Sequence, residues 1–136
     1  MVIEELFGTL HQSVVDSWRK HLTTSKYSAH KALQEFYDEM PGLVDKLIED
    51  YIGIKGEKIE RYDSLIKASE FEAVDYFQKL RTICKTGRAM LGGETELESD
   101  MDGILSLIDS TIYKLEQLTE NKSPRSLKDY IKESIR

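Results

Sequence analysis

Imidazole and carboxylate side chains recur at ligand-like intervals in one stretch of this chain. The segment His21-Leu-Thr-Thr-Ser-Lys-Tyr-Ser-Ala-His30 sets two histidines on either side of a short polar turn. Asp45-Lys-Leu-Ile-Glu49 then offers two carboxylates one helical turn apart. These are ligand types that borderline and hard divalent ions, ferrous iron included, accept. Nothing else in the sequence points as directly to chemistry. Cys84 is the sole cysteine and has no histidine near it in sequence, so it reads as a small packing residue in a helix.

Placed on a helical wheel with His30 at zero, Gln34 falls at about 40°, Asp45 at about 60° and Glu49 at about 100°. All four lie on one shoulder of the apolar face. Yet His30 and Asp45 are separated by about 22 Å along a helix, at ~1.5 Å per residue. One chain therefore cannot close them around one ion. Two copies of the helix packed antiparallel about a two-fold axis would bring His30 of one to Asp45 and Glu49 of the other, giving two equivalent sites. His21 would join from the end of the preceding helix. The plainer reading stands beside this one: carboxylates at i and i+4 are common surface charges, and a histidine on an apolar stripe is commonly a hydrogen-bonded core residue.

The elements that must position these groups are helices. Ile3, Phe7, Leu10, Val14, Trp18 and His21 form one stripe of a first helix over residues 2–22, with His11 on its flank. Trp18 is expected in the core, although it also sits near His21. After the turn at residues 23–26, Tyr27 or Ser28 opens a second helix, placed over residues 28–53, with Ser28 as N-cap and Gly53 and Gly56 at its end. Pro41-Gly42 sits inside this pattern, where proline removes a backbone hydrogen bond, so either the helix kinks or two shorter helices meet; the apolar face continues on both sides, which favours the kink. Residues 57–69 read as a polar crossover with a short helical patch over 62–66. A third helix spans residues 70–91 up to Gly92-Gly93, and a fourth spans residues 95–120. Ser123-Pro124 opens a short terminal helix with five basic and two acidic side chains between Lys122 and Arg136. It is expected to cap the bundle.

Composition fits a single helical domain. The 136 residues include two prolines and eight glycines, and 32% are charged. A formal charge of −6 argues against nucleic acid or an anionic membrane as partner. No run approaches the ~18 apolar residues of a membrane span, and the first residues carry no basic region of a secretion signal. One cysteine excludes an internal disulfide and suits a reducing compartment. A cytoplasmic location is the expectation.

The histidine pair around the turn, followed by Asp45 and Glu49, resembles the Dps-type miniferritins of the ferritin-like superfamily over residues 5–56. The resemblance implies an all-α, ferritin-like four-helix bundle with a long crossover, a homo-oligomer, and an iron site between subunits. His21 and His30 of one chain would face Asp45 and Glu49 of another, with zinc as a substitute ion. It further implies oxidation of ferrous iron by peroxide or oxygen, with the mineral held inside a shell. Two positions depart from that pattern. Gln34 stands where the family has an acid, and Pro41 interrupts the second helix. Both favour the alternative, a non-enzymatic bundle with a structural or interaction role.

Overall fold

The computed structural model describes residues 1–67 and 71–118. The expected short terminal helix after Ser123 lies outside the described residues. Within them, the chain forms α1 (Ile3–Thr23), α2 (Tyr27–Lys55), α3 (Ala73–Arg88) with a 3-10 turn at Ala89–Leu91, and α4 (Thr95–Gln117). No strand occurs among the described residues. The architecture is an all-α four-helix bundle.

Cross-helix contacts fix the direction of each helix. A three-residue turn reverses the chain between α1 and α2, so these two run antiparallel. The crossover then travels back along α1: Asp63 N–H donates to the Glu4 carbonyl at 3.2 Å, and Leu65 N–H donates to Thr9 Oγ1 at 2.9 Å. At the far end, Lys20 Nζ donates to the Phe71 carbonyl at 2.7 Å. Thus α3 starts where α2 starts and runs parallel to it. Gly87, near the end of α3, lies so close to Leu6 that a Cβ there would come within 2.5 Å of the leucine side chain. The return of α4 is antiparallel to α2, tied at one end by the Lys46–Asp100 ion pair and at the other by Lys114–Glu35. The order is up, down, down, up.

Apolar periodicity supplies the core. Phe7, Phe36, Leu47, Phe77, Leu80 and Ile108, drawn from all four helices, are fully enclosed. Phe36 and Phe77 meet edge to face at 4.7 Å, joining α2 to α3. Among the described residues, one acid lies within this interior. Asp16 of α1 is 2% exposed and accepts from Tyr76 Oη at 2.7 Å and Gln12 Nε2 at 2.9 Å. Burial and that carboxylate push the Tyr76 phenol well above its ordinary range.

Three local expectations are corrected. Residues 62–66 are not helical. The Asp63 and Leu65 N–H groups donate to α1 and that of Ile66 to Ser64 Oγ, and Gly8 makes room for them: a Cβ there would lie 2.3 Å from the Asp63 backbone. Ser28 does not cap α2, because the helix opens at Tyr27 with Lys26 in the cap position and Ser28 Oγ left unpartnered inside the first turn. Trp18 is not a core residue. It is 52% exposed, because in this half of α1 the buried positions are Ser13, Asp16, Ser17 and His21, and Trp18 lies to one side of them. Helix α2, for its part, continues through Pro41 as one helix and ends at Gly56, whose φ of 71° is the left-handed stop that glycine adopts without strain.

Candidate metal centre

The turn of residues 24–26 brings the last turn of α1 against the first turn of α2, and with it His21 against His30. Their rings stack with centroids 3.6 Å apart and planes 26° from parallel. Each ring also bonds the other residue's backbone. His21 Nδ1 lies 3.0 Å from the His30 carbonyl, and His30 Nδ1 lies 2.9 Å from the His21 carbonyl. A carbonyl can only accept, so both Nδ1 atoms must carry the proton. In the neutral rings the lone pair is then on Nε2 in each case. A metal-binding histidine is commonly prepared in this way, its second nitrogen fixed by a backbone carbonyl.

Aromatic residues frame the pair. Tyr37 Oη is 3.5 Å from His21 Nε2, and its ring meets the His21 ring edge to face at 5.2 Å. Trp18 stacks on Tyr37 at 6.0 Å, and Tyr27 stacks on His30 at 6.4 Å. His21 is buried and His30 half-buried. Around them Trp18, Leu22 and Tyr27 are exposed, which leaves an apolar rim at this corner of the bundle.

Asp45 and Glu49 stand elsewhere on α2, both exposed. Asp45 borders a groove of about 540 Å³ with His11, Val14 and Pro41. Burial depresses the His11 imidazole below its usual range, and the Asp45 charge partly offsets this. Glu49 borders a second groove, between α2 and α4, beside Lys46, Asp50 and Asp100. The structure thus joins His21 to His30 and leaves both carboxylates apart from them. Among the described residues, no three His, Cys, Asp or Glu side chains converge on a point that could hold a metal ion. The chain alone offers two stacked imidazoles at one place.

The second groove was not apparent from sequence. Asp50 and Asp100 come together there from α2 and α4, with Lys46 Nζ 3.1 Å from Asp50 Oδ2 and 3.9 Å from Asp100 Oδ1. Burial, with the neighbouring Asp50 carboxyl, pushes the Asp100 carboxyl up to about 6. Cys84 is fully buried, and its thiol is pushed up to about 12 by desolvation, which leaves it unreactive at neutral pH. No described helix is long and apolar enough to cross a membrane.

Comparison with known proteins places this arrangement in a family. The match is to the Family of unknown function (DUF5856), and it covers residues 21–115, from His21 to the last buried leucine of α4. The chain belongs to this family. As a DUF5856 chain, it is also similar to an uncharacterized 14.6 kDa protein in the mobD-ri intergenic region of Enterobacteria phage T4. Identity there is 34% over 55 residues, which make up 40% of this chain and 43% of the phage protein. The chain therefore spans less than half the length of that relative. No solved structure matches.

Proposed function

We propose that this DUF5856 chain is a Dps-like member of the ferritin-like superfamily that binds ferrous iron, or a similar divalent ion, between subunits. The observation that carries the reading is the reciprocal bonding of His21 and His30. Each carbonyl fixes the other residue's tautomer, which leaves the Nε2 lone pair of each ring for an ion, with Tyr37 Oη 3.5 Å from that of His21. Asp45 and Glu49 of a second copy would complete the oxygen side, and ferrous iron would be the substrate, each ion passing one electron to peroxide or oxygen. The up, down, down, up order with a single end-to-end crossover supports the superfamily, because ferritin-like bundles use one such connection. The exposed Trp18, Leu22 and Tyr27 support an association at this corner, since clustered apolar exposure commonly marks an interface.

A second reading draws on the same pair. Rings stacked at 3.6 Å and bonded to each other's backbone also make a latch that holds α1 to α2, which suits a non-enzymatic bundle with a structural or interaction role. Anaerobic titration with ferrous iron separates the two. Stoichiometric binding that His30→Ala abolishes supports the iron site, and the absence of binding by the folded parent leaves the latch.

A further inference from the structure

The groove between the end of α2 and the start of α4 is short of positive charge. Its walls carry Glu49, Asp50, Glu96 and Asp100, and Lys46 is the cation among them. Surface acids alone would mean little, but Asp100 is not a surface acid. Its side chain is 8% exposed, and its Oδ2 is buried with no donor from outside the pair; the Asp50 carboxyl beside it can bond it only through a shared proton. A buried carboxylate oxygen without a donor is costly, and the usual remedy is a proton, an ion or an ordered water. Lys46 does not supply it. Its ammonium bonds Asp50 at 3.1 Å, stands 3.9 Å from the other Asp100 oxygen, and belongs to a side chain 65% exposed.

We infer that Asp50 and Asp100 form a site for a hard, oxygen-seeking divalent cation of the Mg²⁺ or Ca²⁺ class, which braces α2 against α4. The donors are carboxylates with the Ser99 hydroxyl beside them, and no nitrogen or sulfur ligand is near. Two carboxylates with the remaining positions filled by water is a common way for a protein to hold Mg²⁺. The groove, about 560 Å³ and open to solvent, has room for that water. Glu96 adds attraction from the rim. The cation would displace the Lys46 ammonium, whose long exposed stem can swing away. This site uses neither histidine and does not depend on the intersubunit iron reading.

The probe is magnesium chloride, with calcium chloride in parallel, added to the full chain while calorimetry and thermal unfolding are followed. Sodium chloride at equal ionic strength controls for screening. The expected result is saturable binding and a melting temperature that rises with the divalent salt, because a ligand of the folded state stabilises it. Asp100→Asn and Asp50→Asn should each weaken binding by more than about tenfold, the loss that even outer partners of a metal ligand can produce. Lys46→Met should tighten it, and the His21→Ala/His30→Ala double variant should bind as the parent does. The inference is overturned if the parent shows no more response to the divalent salts than to sodium chloride. It is also overturned if both folded aspartate variants bind like the parent, or if only the histidine variant loses binding.

Discussion

A histidine becomes a useful ligand when its other nitrogen is already engaged, and at His21 and His30 each residue engages the other. His30→Ala removes one imidazole and also the donor to the His21 carbonyl, so its loss should reach beyond one ligand. Ferrous or zinc affinity is expected to fall by more than about tenfold, read by anaerobic calorimetry. Asp45→Asn with Glu49→Gln should weaken the same binding and leave the melting temperature nearly unchanged, because both side chains are exposed and surface substitutions shift stability little. Undiminished binding in that double variant would make the carboxylates plain surface charges. Asp100 gives a separate pH signature. Its carboxyl is raised from 3.8 to about 6 in the folded chain, so between those values the native state holds a proton that the unfolded state has released. Stability from this group must therefore fall as pH rises through about 6. His11, depressed by burial, makes stability rise over the same range in parent and variant alike, so in melts from about pH 5 to about pH 7, low in divalent ions, the Asp100 fall should show as stability that the parent loses relative to Asp100→Asn. The types and spacing of His21, His30, Asp45 and Glu49 were legible in the sequence. The carbonyl bonds were not, because they depend on the backbone path of a three-residue turn.

At the scale of helices, apolar periodicity foretold where each one runs to within a few residues, and the glycines at 56 and 92–93 marked stops. It misled where burial comes from a neighbour rather than from the helix's own face. Ile66 is buried and Leu65 exposed, and over residues 62–66 the apolar spacing looks helical. The Asp63 and Leu65 N–H groups there instead bond Glu4 and Thr9 of α1, and that of Ile66 bonds Ser64. The stripe through Trp18 failed for another reason: the buried positions in that half of α1 include the polar Ser13, Asp16 and Ser17, which an apolar pattern does not register. Two glycines test this account of the elements. Gly8→Ala would force the crossover off α1, because its Cβ would lie 2.3 Å from the Asp63 backbone. A loss of about 1–3 kcal/mol, the usual cost of overpacking, is expected in chemical denaturation. Gly42→Ala has nothing within 4 Å and lies inside α2. It should stabilise by roughly 0.5–1 kcal/mol, the helical penalty of glycine relative to alanine. If the two variants behaved alike, the crossover would not be seated on Gly8.

For the whole molecule, the decisive quantity is how many copies make one site. His30 and Asp45 are fifteen positions apart on α2, a distance of about 22 Å at the helical rise, so a shared ion requires a second chain. Two defective chains should then repair each other. One chain carries His30→Ala and keeps its carboxylates; the other carries Asp45→Asn and Glu49→Gln and keeps its histidines. Each alone forms only broken sites. In a mixed dimer, the intact histidines of the second chain face the intact carboxylates of the first, while the remaining site has both halves damaged. Unfolding the two variants together and refolding them should restore iron binding to one of the two sites in every mixed dimer, and none should return when separately refolded samples are kept apart. A site built within one chain would gain nothing from mixing, and a strictly monomeric parent by light scattering at micromolar concentration would leave no second chain to supply the carboxylates. Recovery on mixing would show in one step that the chain associates, that α2 lies near the two-fold axis, and that the histidines and carboxylates act on the same ion.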